Sequence, residues 1–492
     1  MAREGYLGLD LGGTGAKAGV FDLDGTPLAI THRPYPTEIS EDGRAELNLE
    51  DIDQSAREAV LEAVARSEAL VVAMCVSSQG QTFVTLDEED RPLHKVIAWF
   101  DSRATVEAQE MRDNLDETTR AGLDLGAIAS APKIIWLARH QPEVMRRASR
   151  FLLLPDYITY RLTGRAICDP VIARTTGLYS QLEGDYSDSA LCLAGISRRQ
   201  ISDVAPAGTL AGKVLPGIAE QWGLQAGTPV AVGTNDQLAG ALGAGNARPG
   251  IVSETTGTCL ALITLALPPL PAMPAGLLQG PFPIPEFSFV LAYSKTAGLL
   301  LEWFRAQLTG GESLSALDAS AQSIPPGSLG LSVLPHFDGM ISPRPHPLSR
   351  GAFVNLTLQH TRAHIYRAIL ESLAFSLREN LELIEETGFP VESIRSIGGG
   401  SHSDVWLQIK ADVTGREIER PVVTEAAVLG SAMLAARCAG RFGSIREASA
   451  RLYRTHKVFS PQPANHQRYQ EPYQRYLEYQ RLLYPCPASE GR

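Results

Sequence analysis

A chain of 492 residues is longer than one hydrophobic core usually supports, so two domains of ordinary size are expected, each burying a large core. With 44% hydrophobic and 20% charged residues, no apolar run long enough to span a membrane and no signal-peptide pattern after Met1, the chain reads as a soluble cytoplasmic protein without a membrane partner. A net charge of −11 disfavours nucleic acid, and six cysteines (Cys75, Cys168, Cys192, Cys259, Cys438, Cys486) without CxxC spacing argue against zinc and disulfides, which leaves a small ligand as the expected partner.

The first element is LGLDLGGTGAKAGVFDLDG, Leu7 to Gly25. Alternating Leu7, Leu9 and Leu11 predict a strand with Asp10 near its end, and Gly12, Gly13 and Gly15 allow a sharp reversal into a second strand. Bare amides in such a turn, with Thr14 and Lys17 beside them, suit anionic phosphate oxygens, and Asp10 suits a divalent cation bridging them. The stretch reads equally as an ordinary hairpin with an Asp at its mouth. No GxxxxGK[ST] follows and no helix opens after the glycines, which disfavours P-loop and Rossmann readings.

Leu49 to Arg66 has helical apolar spacing, and Leu70 to Val76 reads as a buried strand that delivers Ser77, Ser78, Gln79, Gly80 and Gln81 to its carboxyl end. As alternate residues of an extended segment, Gln79 and Gln81 are expected to point to one side. Lys95 to Trp99 runs into Phe100, Asp101, Ser102 and Arg103, a set suited to binding hydroxyls or, more commonly, solvated charges at a strand end. Lys133 to Arg139 and Leu152 to Leu162 are expected helices, the second stopped by Gly164. Thr228 to Val232 is a short strand opening into Asn235 and Asp236 before the small-residue helix Leu238 to Gly245. Asp236 there is either an exposed reactive carboxylate or a helix cap.

The second half repeats this design: strand Gly250 to Glu254, turn Thr255-Thr256-Gly257-Thr258, strand Cys259 to Leu265. A second phosphate clip follows, and with it two related domains facing across a cleft. The Pro-rich stretches 268–285 and 325–347 read as loop or lid. His364 to Glu386 is the longest helical pattern. Strand Ser393 to Ile397 then meets Gly398-Gly399-Gly400 and a helix from Ser403, where a flat ring or a phosphate can approach the backbone, or nothing does. Glu425 to Arg437 is a small-residue helix in which Gly430, Ser431 and Ala432 permit close packing, and the tail from Ser460 carries no site chemistry.

Taken in order, these pieces resemble the FGGY family of carbohydrate kinases over nearly the whole chain to about Arg437. The phosphate hairpin resembles Leu7 to Gly25, the WxDxR segment Trp99-Asp101-Arg103, the catalytic-aspartate segment Gly233 to Gln237, the second clip Thr256 to Thr258, and the adenosine loop and helix IGGGSHSDVWLQIKADVTG, Ile397 to Gly415. Two further signatures resemble SAPKIIWL around Lys133 and Gly351 to Glu371, where Asn355 stands in place of the usual glycine.

The resemblance implies an α/β architecture of two ribonuclease-H-like domains of the actin, hexokinase and Hsp70 ATPase superfamily, residues 1–247 and 248–492, with a tail from about 440. It implies ATP and Mg²⁺ as cofactors. Asp236 becomes the general base. Asp10 becomes the metal ligand, and Gly12, Gly13, Thr14, Lys17, Thr256, Gly257, Thr258, Gly398, Gly399, Gly400 and Ser403 join it around the nucleotide. Gln79, Gln81, Trp99, Asp101, Arg103, Asn235 and Asp236 become the sugar contacts. Xylulose kinases of the family carry a GQMHG-like segment where this chain has Ser78-Gln79-Gly80-Gln81-Thr82, so Gln79 keeps the glutamine and Gln81 replaces the histidine. A ketopentose such as D-xylulose is the first expectation, with other ketoses, gluconate or a sugar alcohol behind it. A homodimer is left open. Two other classes are a nucleotide-gated actin- or Hsp70-like protein without a sugar, which has no need of Gln79, Trp99, Asp101 or Arg103, and a sugar sensor that has lost catalysis.

Overall fold

A computed structural model describes residues 3–485; Met1 and Cys486 lie outside the described residues. The chain folds as two compact units, one formed by residues up to Gly243 with Ala427–Leu452, the other by Ala244–Ala426 with the chain from Tyr453 onward. A single boundary at residue 247 does not anticipate this return. Its cause is a close helix contact: the helix Ala426–Cys438 presses Val428 on Gly8, where a Cβ would stand 1.9 Å from the Val428 carbonyl, and Gly430 on the Ala239 carbonyl, also at 1.9 Å. Only glycine permits backbones to approach so closely.

The first unit is built on β1 (Arg3–Leu11), β2 (Gly15–Phe21), β3 (Pro27–Pro34), helix α1 (Leu49–Ser67), β4 (Ala69–Ser78), β5 (Leu210–Lys213) and β6 (Pro229–Ala231), with sheet order β5-β6-β4-β1-β2-β3. β1, β2 and β3 are antiparallel neighbours, and β4 runs parallel to β1 on its other side. The continuous apolar sequence of β1 and β4 suits strands covered on both faces, with Leu7, Leu9, Leu11 and Val76 without exposed surface. Helix α1 starts where Asn48 accepts the Glu50 N–H at 3.0 Å, and packs Ile52, Ala56, Ala59, Val60 and Ala63 into the same core.

The second unit repeats the pattern with β7 (Gly250–Thr256), β8 (Leu260–Ala266), β9 (Leu277–Pro281), β10 (Ser288–Ser294), helix α2 (Arg362–Glu386), β11 (Val391–Ile397), helix α3 (Asp404–Thr414), β12 (Ile418–Pro421) and β13 (Thr455–Phe459). Its order is β9-β10-β8-β7-β11-β12-β13, again an antiparallel hairpin, β7 with β8, and a parallel strand, β11, beside β7. The Pro-rich stretch 268–285 is not all loop, since β9 lies within it. The tail, for which the sequence suggests no structure, forms helix α4 over Pro463–Leu483, whose Tyr469, Tyr473 and Tyr476 are buried against Phe375 of α2. Asn355 takes the left-handed φ of +65° that the usual glycine would, held by its amide on the Gly330 carbonyl at 3.1 Å.

Candidate active site

In the first unit, parallel pairing places Asp10 of β1 against Ser77 of β4 and antiparallel pairing places it against Lys17 of β2. Ser77 donates its hydroxyl to Asp10 Oδ1 at 2.7 Å. The hairpin between β1 and β2 closes with Gly12 N–H on the Gly15 carbonyl at 3.1 Å, and none of its glycines is left-handed. Gly15 is required by space instead, since a Cβ there would meet His32 and the Arg33 carbonyl at 2.6 and 2.7 Å.

Tyr35, buried just after β3, donates to the Gly12 carbonyl, and Thr37 donates to the Gly13 carbonyl at 3.1 Å. In a trans peptide the N–H points opposite to the C=O, so these bonds turn the Gly13 and Thr14 N–H groups away from Tyr35 and Thr37. Neither N–H has a partner among the described residues. Burial raises the Tyr35 phenol far above its ordinary value, and the nearby Asp10 and Asp236 charges raise it further. It therefore remains a donor.

β4 ends at Ser78, which forms a bridge with Asn235, and a Cβ on Gly80 would lie 3.2 Å from the Asn235 amide nitrogen. Gln79 is 4% exposed with neither amide atom hydrogen-bonded among the described residues, and its Oε1 lies 3.4 Å from where a Gly13 Cβ would be. A buried amide without partners is costly, by about 1–3 kcal/mol per group, so this one fits a ligand's hydroxyls. Gln81 departs from the extended segment expected of it: its φ is +58°, with its N–H on Thr175 Oγ1 at 3.2 Å and its carbonyl on Ser130 Oγ at 2.9 Å. The alternation that would align Gln81 with Gln79 stops at Ser78.

Asn235, not Asp236, caps the helix Asp236–Gly243, accepting the Gln237 N–H at 3.0 Å. Asp236 Oδ1 also accepts that N–H, at 2.7 Å, while Oδ2 makes no hydrogen bond among the described residues. Asp236 keeps some solvent-accessible surface, but the protein packed around it pushes its carboxyl up to about 6, the Gln237 N–H opposing.

Asp101 and Arg103 bond chiefly within the protein. Asp101 accepts the Ala45 N–H at 2.6 Å and Arg103 Nε at 2.9 Å, and Arg103 also reaches Glu46 at 2.6 Å. Burial raises Asp101, but the Arg103 guanidinium and the backbone N–H groups outweigh it and hold the carboxyl low. Lys133 ties the same turn down, donating to the Ala98, Trp99 and Ile128 carbonyls at 2.8, 2.8 and 2.9 Å, and burial lowers its pKa to about 7. What this turn presents is Trp99, half-buried, its backbone N–H on Thr82 Oγ1 at 3.0 Å.

In the second unit the turn after β7 meets the glycine loop after β11. Gly398 is left-handed at φ +76°, and a Cβ on Gly400 would stand 2.7 Å from the Thr256 Cβ, whereas Cβ atoms on Gly257 and Gly399 would enter open space. Thr256 does not face outward. Its hydroxyl donates to buried Glu254 and accepts from buried Lys410 Nζ at 3.1 Å, and Lys410 pairs with both Glu254 oxygens at 2.9 and 3.0 Å. Ser403 caps α3, accepting the Trp406 N–H at 3.0 Å. Thr258 is exposed and free to meet a ligand.

Sequence reasoning missed Tyr35, Thr37, Lys410 and Glu254. A lysine inside the apolar stretch Trp406 to Val413 was the available signal for the last pair, because an unpaired lysine is almost never fully buried.

Two units share the same hairpin-plus-parallel-strand core, each carrying a glycine-rich turn at a strand mouth, which is a duplicated α/β fold. Models of the FGGY family of carbohydrate kinases match its N-terminal domain at residues 5–243 and its C-terminal domain at residues 253–439, and the chain belongs to that family. It is an ATP-dependent carbohydrate kinase. It is 30% identical over 489 residues to the autoinducer-2 kinase of Escherichia coli (strain K12), covering 94% of this chain and 92% of that protein. It is also 29% identical to the xylulose kinase of Bacillus subtilis (strain 168), covering 94% of each. The crystal structure of the xylulose kinase from Rhodospirillum rubrum superimposes with a TM-score of 0.82 at 28% identity, covering 98% of this chain and 99% of that one.

Proposed function

We propose that this kinase phosphorylates a small uncharged ketose or ketose-like polyol, a ketopentose such as D-xylulose first, with Asp236 as general base. The observation that carries the reading is the Asp236 carboxylate, whose Oδ2 has no hydrogen bond among the described residues, on the loop that bridges to Ser78, the residue before the orphaned amide of Gln79. Phosphoryl transfer demands positioning and charge stabilisation more than covalent chemistry. Asp236 accepts the proton of the attacking hydroxyl, Gln79 orients its neighbours by hydrogen bonds, and Trp99 offers an apolar face. The outward N–H groups of Gly13 and Thr14 receive phosphate oxygens, and the open space over Gly257 and Gly399 receives the nucleotide.

The donor set also fits Mg²⁺. Among the described residues there is no cluster of three metal-ligating side chains, but Mg²⁺ characteristically takes one or two carboxylates and completes its shell with water and phosphate, and Asp10 is oriented for it by Ser77. When bound it neutralises phosphate charge.

Arg103 is almost wholly buried, and its charge is already balanced by Asp101 and Glu46, which favours a neutral polyol over gluconate. Autoinducer-2 is a second reading, favoured by the similarity to the Escherichia coli kinase. The test is ADP formation with D-xylulose, other ketoses, sugar alcohols, gluconate and autoinducer-2, run for the wild type and Asp236→Asn. A sugar-dependent rate led by a neutral ketose and lost in Asp236→Asn by about 10²- to 10⁴-fold supports the reading. A variant keeping half of the turnover removes Asp236 as base.

A further inference from the structure

Asp169 is a buried carboxylate that no step above uses, 1% exposed, at the start of the short helix Pro170–Arg174. Its Oδ1 accepts the Ile172 N–H at 2.9 Å and caps that helix. Its Oδ2 accepts the hydroxyl of Thr234, a fully buried residue two positions before Asp236, at 2.8 Å. A cap needs only the first oxygen; the second reaches across to the loop of the base.

The other end of the same helix holds the loop of the glutamines. Thr175 donates its hydroxyl to the Ile172 carbonyl at 2.7 Å and accepts the Gln81 N–H at 3.2 Å. There is little slack between the two loops: a Cβ on Gly80 would meet both Asn235 Nδ2 and Thr175 Oγ1 at 3.2 Å, and one on Gly233 would stand 1.7 Å from the Val76 carbonyl. Both neighbours of Thr234 are thus fixed, Gly233 by packing on β4 and Asn235 by its bridge to Ser78. The remaining freedom of the segment is the side of Thr234 that Asp169 holds. Burial pushes the Asp169 carboxyl up to about 7, opposed by the two donors aimed at it.

We propose that Asp169 is a positioning residue that, through the Thr234 hydroxyl, sets where the Asp236 carboxylate stands relative to the Gln79–Gln81 loop. The inference rests on the reading of Asp236 as general base. Small misplacements of a reacting group cost large factors in rate, of about 10²-fold for 1 Å. A change in this strut should therefore appear in kcat before it appears in nucleotide binding.

The experiment compares Thr234→Val, which keeps shape and removes the hydroxyl, with Thr234→Ser, which keeps the hydroxyl, and with Asp236→Asn, all assayed with the best substrate of the panel. Thr234→Val is expected to lower kcat by about 10- to 100-fold with the KM for ATP changed less than about twofold, and Thr234→Ser to return to within about threefold of wild type. The proposal is overturned if Thr234→Val turns over like wild type while Asp236→Asn is inactive. It is also overturned if Thr234→Val loses kcat and both KM values in step with a lower Tm that serine does not restore. If instead Asp236→Asn remains active, the base assignment itself fails and takes the proposal with it.

Discussion

Three aspartates near the mouths of the first unit's strands differ in what their oxygens touch. Asp101 is saturated by Arg103 and backbone N–H groups, Asp10 is steadied by Ser77, and Asp236, hydrogen-bonded through Oδ1 alone among the described residues, has a carboxyl pushed up to about 6 by the protein around it. Only the ionised form of a base accepts a proton, so kcat/KM should fall as pH drops through about 6 and level off above it. Assays between pH 5 and 8 read this directly, and a flat profile down to pH 5 would count against Asp236. Gln81 supplies a second test at this scale. Its left-handed backbone is held by Thr175 and Ser130, and histidine is among the side chains that tolerate that conformation, so Gln81→His should fold. If the natural protein prefers another substrate, this variant should raise the relative kcat/KM for D-xylulose severalfold; an unchanged ranking across the panel would show that position 81 does not face the sugar.

At the scale of elements, the β1–β2 hairpin was legible because alternating leucines and a glycine run are local signals, but what holds its peptides is not local. Tyr35 and Thr37 come from the far end of β3 and look in sequence like ordinary loop residues. The same distance in sequence hides the partners of Asp101 and Arg103, Ala45 for the first and Glu46 for the second, which tie both side chains into the protein beside Trp99. The hairpin makes a prediction of its own. Tyr35→Phe and Thr37→Val each release one carbonyl, so the Gly13 and Thr14 N–H groups lose their fixed direction. Each variant should raise the KM for ATP by roughly 3- to 30-fold, the worth of about one to two hydrogen bonds. Sugar affinity measured without nucleotide should hardly change, and an ATP KM unaltered in the double variant would remove these two residues from the phosphate clip.

At the scale of the whole molecule, the repeated hairpin and parallel strand were readable twice over, whereas the return of Ala427–Leu452 to the first unit and the docking of the tail were not. Both depend on surfaces that meet only after folding. The tail is polar on average and contains Pro472, which conceals the helical spacing of Tyr469, Tyr473 and Tyr476. Each ring is almost wholly buried, with the Tyr469 hydroxyl donating to Glu371 at 3.0 Å and Tyr473 to Glu382 at 2.6 Å. Burying an aromatic ring removes roughly 150–250 Å² from water, an upper bound of about 4–6 kcal/mol each at ~25 cal/mol per Å². Three such rings match the roughly 5–15 kcal/mol by which whole domains are stable. A chain ending at Ser460 should therefore fail to fold its second unit, losing nucleotide binding and becoming sensitive to protease between Ala244 and Ala426. Replacing Tyr473 alone with Phe removes one hydroxyl but keeps the ring, so it should lower stability by only about 1 kcal/mol. Proteolysis and ATP-binding measurements on both proteins decide the matter: a truncated chain that resists protease and binds ATP as the full chain does would show that helix α4 merely covers a core already stable without it.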